Sequence, residues 1–152
     1  MTKVHLGTVI HGTMREEDLI PAFLKELEML DPERAASYWD EIPKEALEDP
    51  ENDWWDSDEA SWMLEELFDV LNEFAPPYVY FGANEGDGSD YGFWIDRYSL
   101  QEAIEDGEVL HVEDLSEVPA DYEGLVLHEN DHGNLTLYEC ASGNFVEIWS
   151  VV

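Results

Sequence analysis

The chain has 152 residues and is 44% hydrophobic, with six Trp, seven Tyr and six Phe, enough apolar material for one domain with one core and too much for a disordered acidic tail. Against 38 Asp and Glu stand six Lys and Arg, a net charge of −32, which argues against direct binding of nucleic acid or attachment to anionic lipid. No apolar run approaches the roughly 18 residues that cross a membrane, and the single Cys140 rules out an internal disulfide framework and fits a reducing, cytoplasmic setting.

The opening Met1-Thr2-Lys3-Val4-His5 lacks the apolar stretch of a signal peptide. Residues 4–10 read as a first strand. Thr13 to Glu16 fits a capping box, and Asp18 is a second candidate cap that would place Pro21 in the first turn of a helix. Leu19, Ile20, Phe23, Leu24, Leu27 and Leu30 then recur at helical spacing. Asp31-Pro32 starts another helix, with Asp as cap and Pro at the first helical position, and Pro43 ends or kinks it. Residues 44–57 read as a short helical turn followed by a loop. From about Asp58 to Ala75, the residues Ala60, Met63, Leu64, Leu67, Phe68, Leu71 and Phe74 form one apolar stripe, the clearest helix in the chain.

After Pro76-Pro77 the pattern changes to sheet. Strands are expected over 78–81 and 91–95, joined by a glycine-rich loop from Gly82 to Asp90. Ser99 is placed as the cap of a short helix, Leu100 to about Asp106, and Val109–Val112 as an edge strand. Strands over 125–128, 135–138 and 145–149, with turns at 130–134 and 142–144, make an antiparallel meander. The expectation is a single α+β domain, 1–152, with an N-terminal strand and helices packed on a mainly antiparallel C-terminal sheet.

Duplex DNA carries one charge per roughly 1.7 Å of axis, so 32 phosphates span about 54 Å. A compact chain of this length has a radius of gyration of roughly 15 Å and a diameter near 40 Å, a comparable density of negative charge. That density destabilises a compact state through self-repulsion. It peaks between residues 40 and 59, where Lys44 is the lone cation, and continues on the next helix as Glu65, Glu66, Asp69 and Glu73. Like charges three or four residues apart on a helix cost about 0.2–0.5 kcal/mol per pair. A rigid row of carboxylates can stand in for a row of phosphates, which makes this a candidate DNA mimic: an acidic inhibitor that sequesters a basic nucleic-acid-binding protein.

The partner-binding candidates are Glu48, Asp49, Glu51, Asp53, Asp56, Asp58, Glu59, Glu65, Glu66, Asp69 and Glu73, with Trp54 and Trp55 as anchors or as rings that pin the loop to the core. Three other readings compete: an immunity or antitoxin protein with one cationic toxin as partner, adaptation to high salt, and plain solubility, for which far fewer charges suffice. A homodimer is left open.

Chemistry-bearing patterns are sparse. Asn84, Glu85 and Gly86 to Asp90 crowd oxygen ligands around glycine but depart from the spacing of a calcium loop, and a glycine-rich hairpin is the simpler reading. The five histidines show no zinc spacing, and His132 fits a tight turn. Neither a nucleophile elbow nor a phosphate-binding loop is present. Cys140 fits a buried strand position. No enzyme, metal or cofactor is therefore expected.

Two stretches, Tyr80-Phe-Gly-Ala-Asn-Glu-Gly-Asp-Gly-Ser-Asp-Tyr-Gly-Phe-Trp94 and Asn130-Asp-His-Gly-Asn134 followed by Glu147-Ile-Trp149, resemble small acidic proteins of phages, prophages and plasmids. The segment Gly12 to Phe23 is similar to their N-termini. The resemblance carries no assigned activity and so no functional residue. It implies a mobile-element setting, where acidic decoys block restriction, CRISPR or other nucleic-acid-handling host enzymes.

Overall fold

The computed structural model describes residues 4–151; the Met1-Thr2-Lys3 part of the N-terminal reading lies outside them. The class is α+β: among the described residues there are five α-helices, and the strands are divided over a three-stranded and a four-stranded sheet. Packing groups the residues into two compact units. One holds the chain up to Ala75 together with Tyr80–Trp94; the other holds Pro76–Val79 and the chain from Ile95 on.

In the first unit, β1 (Gly7–His11) pairs antiparallel with β3 (Asp87–Ile95), and β2 (Val79–Asn84) completes a sheet of order β1-β3-β2. The expected glycine-rich loop is mostly strand. The turn closes at Glu85-Gly86, with the Asn84 side chain accepting from Gly86 N at 2.8 Å. The sequence pattern hid this because Gly82, Gly86 and Gly88 dilute the alternation that marks a strand. Gly92 is required: a Cβ there would overlap the Gly7 carbonyl, where the β1–β3 register slips between Thr8 and Ile10.

Helix α1 (Glu16–Leu30) buries Leu19, Ile20, Phe23, Leu24 and Leu27, most of the predicted stripe. Its start differs from the capping-box expectation. Arg15 is the N-cap, with no side-chain cap bond, while Thr13 accepts from Arg15 N and donates to Asp18 at 2.6 Å. The helix thus begins before Asp18, and Pro21 falls in its second turn. Helix α2 (Pro32–Glu41) starts as predicted, Asp31 accepting from Arg34 N at 3.2 Å. After Pro43 come α3 (Lys44–Glu48) and a 3-10 turn, Asp53–Asp56. Helix α4 (Asp58–Glu73) is capped by Ser57 and buries Ala60, Met63, Leu67, Val70 and Leu71.

An aromatic cluster joins these helices to their sheet. The Phe23 ring meets Phe68 at 5.1 Å and Phe81 at 5.0 Å, both edge to face, and Phe81 meets Phe93 at 4.9 Å. Asn72 of α4 adds a polar link, accepting from Phe81 N at 3.0 Å.

In the second unit, α5 (Arg97–Glu105) is capped by Asp96, not Ser99, since the Asp96 side chain accepts from both Ser99 N and Ser99 Oγ. The sheet runs β4-β5-β6-β7: β4 (Val109–Val112), β5 (Gly124–Glu129), β6 (Leu135–Ala141) and β7 (Asn144–Val151). The last three form the predicted meander. Edge strand β4 runs parallel to β5, so the 113–123 segment serves as a crossover, with a 3-10 turn at Leu115–Glu117. Ser142 and Gly143, both at positive φ, close the β6–β7 hairpin. Val112, Val126 and Cys140 form a core, and Trp149 donates its indole N–H to the Pro77 carbonyl at 2.9 Å.

Candidate acidic interface

The predicted acids fall on two adjoining stretches of the first unit. Glu48, Asp49, Glu51, Asp53 and Asp56 occupy α3, its exit and the 3-10 turn. Asp58, Glu59, Glu65, Glu66, Asp69 and Glu73 lie on α4. All eleven are exposed. The local reason is helical geometry. At 100° per residue the buried α4 residues fill one arc, and the acids fill the opposite one.

Not every acid is equivalent. Glu73 pairs with Arg34 at 3.0 Å, which neutralises one end of the row. Asp49 accepts from Glu51 N at 2.9 Å and so shapes its loop. Glu59 accepts from the Trp54 indole N–H at 3.3 Å. The Tyr38 hydroxyl is pushed above its ordinary range, first by burial and then by the negative charge of Glu66.

The tryptophan pair divides in two. Trp55 is buried, and its N–H reaches the carbonyls of Ala46 at 3.0 Å and Asp49 at 3.2 Å. It pins the loop to the core, which corrects its candidacy as a surface anchor. Trp54 packs edge to face on Trp55, with ring centroids 5.0 Å apart, and keeps part of its own ring at the surface.

Sequence reasoning missed Trp62. It is 63% exposed and sits in the middle of the acidic arc of α4, flanked by Asp58, Glu59, Glu65, Glu66 and Asp69. The signal was available: Trp62 falls outside the apolar stripe, so helical spacing alone puts it among the acids. Trp62, Trp54, Met63, Glu41, Glu59 and Glu66 line a cleft of about 320 Å3.

No family model, curated protein or solved structure matches the chain.

Elsewhere the chemistry is local. Asp87 at the β2–β3 turn accepts from Ser89 N and Oγ and pairs with His11 at 2.9 Å; these contacts, the Ser89 backbone first, hold its carboxyl below the usual range. Of the oxygens that suggested a cation loop at 84–90, those of Asn84 and Asp87 serve the hairpin's own backbone, while Asp90 Oδ1 is buried without a hydrogen-bond partner. Among the described residues, no group of three or more His, Cys, Asp or Glu is arranged to hold a metal ion, and no helix is long and apolar enough to cross a membrane. His132 sits in the turn whose N–H groups are gathered by the Asn130 side chain. Cys140 is buried beside the Tyr122 carbonyl.

Proposed function

We propose that the acidic face formed by residues 48–73 binds a basic nucleic-acid-binding protein and blocks it by occupying its groove, in the manner of a nucleic-acid mimic. The observation that carries this reading is the α4 surface: a continuous, exposed row of carboxylates on a rigid helix, without a lysine or arginine of its own. An ordinary solvated helix gains energy by mixing signs at this spacing. A mobile-element setting, expected from the sequence resemblance alone, would make a host defence enzyme the kind of target.

The exposed ring of Trp62 favours a more dedicated variant, an immunity or antitoxin protein matched to one cationic toxin. Carboxylates steer any basic surface, whereas an aromatic anchor needs a complementary pocket or side chain.

The test is capture of basic proteins from host lysate on the immobilised chain, with elution by duplex DNA and by RNA. Glu51, Asp56, Glu65 and Asp69 are then changed together to Lys. Capture is expected to be lost while the far-ultraviolet circular dichroism and the unfolding transition stay in place. Capture that survives the four reversals shows that this face is not the contact.

A further inference from the structure

The cleft on α4 combines two kinds of group that are rarely useful together unless a cation lies between them. Trp62 and Trp54 supply aromatic rings; Glu41, Glu59 and Glu66 supply carboxylates; buried Met63 completes the lining. No Lys or Arg lines it. At about 320 Å3 it stands at the lower limit of pockets that take small ligands, which suits one side chain more than a whole organic molecule.

We infer that this cleft receives an arginine side chain from the partner protein, its guanidinium stacked on Trp62 and Trp54 and hydrogen-bonded to the surrounding glutamates. The inference rests on the acidic-face reading and names the contact that makes it specific. Charge complementarity selects a cation, and the tryptophans select its shape. A guanidinium is planar, stacks on aromatic faces, is weakly hydrated and offers five donors in a fixed fork. An ammonium is a compact, strongly hydrated point charge and uses the ring faces less well. Part of the site is already oriented. Trp54 N–H holds Glu59, so that carboxylate need not be ordered from a free state when the guanidinium arrives.

The probe is the tripeptide acetyl-Gly-Arg-Gly-amide, compared with its lysine and citrulline counterparts. Citrulline keeps the planar shape and loses the charge. The readout is the set of six indole N–H resonances by nuclear magnetic resonance, with Trp54 and Trp62 assigned from W54F and W62F. The arginine peptide is expected to shift those two resonances in a saturable way, the lysine peptide several-fold more weakly, and the citrulline peptide not at all. Trp62→Ala removes an exposed ring and should abolish the response with unfolding unchanged; Glu41→Gln should weaken it several-fold. Equal response to arginine and citrulline, shifts spread over all six indoles, or an unaltered response in W62A overturns the inference.

The two proposals fail separately. The four lysine reversals at Glu51, Asp56, Glu65 and Asp69 leave every cleft residue intact. Arginine binding by a chain that captures no basic protein keeps the cleft and removes the mimicry. Capture of a basic protein that W62A retains in full keeps the face and removes the cleft.

Discussion

At the scale of single residues, the positions that matter most are the ones that hydrophobicity does not mark. Gly92 is buried in the middle of β3, and its missing Cβ is what lets the Gly7 carbonyl approach. Gly92→Ala should therefore force β1 away from β3 and destabilise the first unit by about 2 kcal/mol or more, the scale of overpacking in a filled core. Urea unfolding followed through a tryptophan of that unit measures it, and a change under about 0.5 kcal/mol would mean that β1 yields easily. Trp55 and Trp62 make the complementary point. Both are tryptophans beside acids, yet one closes on Ala46 and Asp49 while the other faces solvent. Helical phase distinguishes Trp62 from the sequence alone. Trp55 lies in a 3-10 turn of four residues, too short to have a phase, so only the fold could place it.

At the scale of elements, strong apolar periodicity made α1 and α4 legible, and the Asp-Pro signal made α2 legible to the residue. Caps were less so. Thr13, Asp18 and Ser99 all carry the right oxygen, and the helices instead begin at Arg15 and Asp96 because those oxygens serve neighbouring groups. The division into two sheets was hidden for a different reason: pairing of β1 with β3 is a contact between residues some 80 apart, which no local pattern encodes. The acids of the candidate interface were legible as a list, while the cleft was not, because it brings Glu41 from the end of α2 to the surface of α4. The polar link from α4 to its sheet depends on one side chain. Asn72→Ala leaves the part-buried N–H of Phe81 without its partner and should cost about 1–3 kcal/mol. Hydrogen exchange at Phe81 N reads the loss directly: its protection should fall by more than that of neighbouring β2 amides. Equal protection in both proteins would mean that water replaces the amide.

At the scale of the whole molecule, charge sets how the chain responds to its solvent. A net −32 repels itself, and the repulsion reaches about 10 Å at 0.1 M salt but only about 3 Å at 1 M. The transition temperature should rise with sodium chloride over this range, and the chain should still unfold cooperatively in dilute buffer. Unfolding in dilute buffer with refolding in molar salt is the outcome that supports high-salt adaptation instead. The pH response has a definite sign. Burial raises the Glu26 carboxyl, so the stability tied to its proton is complete below the ordinary carboxylate value and lost as pH rises through the raised one. Asp87 and Asp114 are lowered, each first by a backbone N–H, and their stability is present above the ordinary value and lost as pH falls through the lowered one. Thermal unfolding of the protein and of E26Q should accordingly diverge as pH rises above the ordinary carboxylate value, the variant keeping the stability that Glu26 loses there. The same field gives Trp62 an optical signature. It is the most open of the six indoles and stands among carboxylates, so it meets dissolved ions through a local potential that enriches cations and depletes anions. Caesium should extinguish its emission far more effectively than iodide, and a basic protein seated on the face should shield it from both, which lets the chain report its own occupancy without a label.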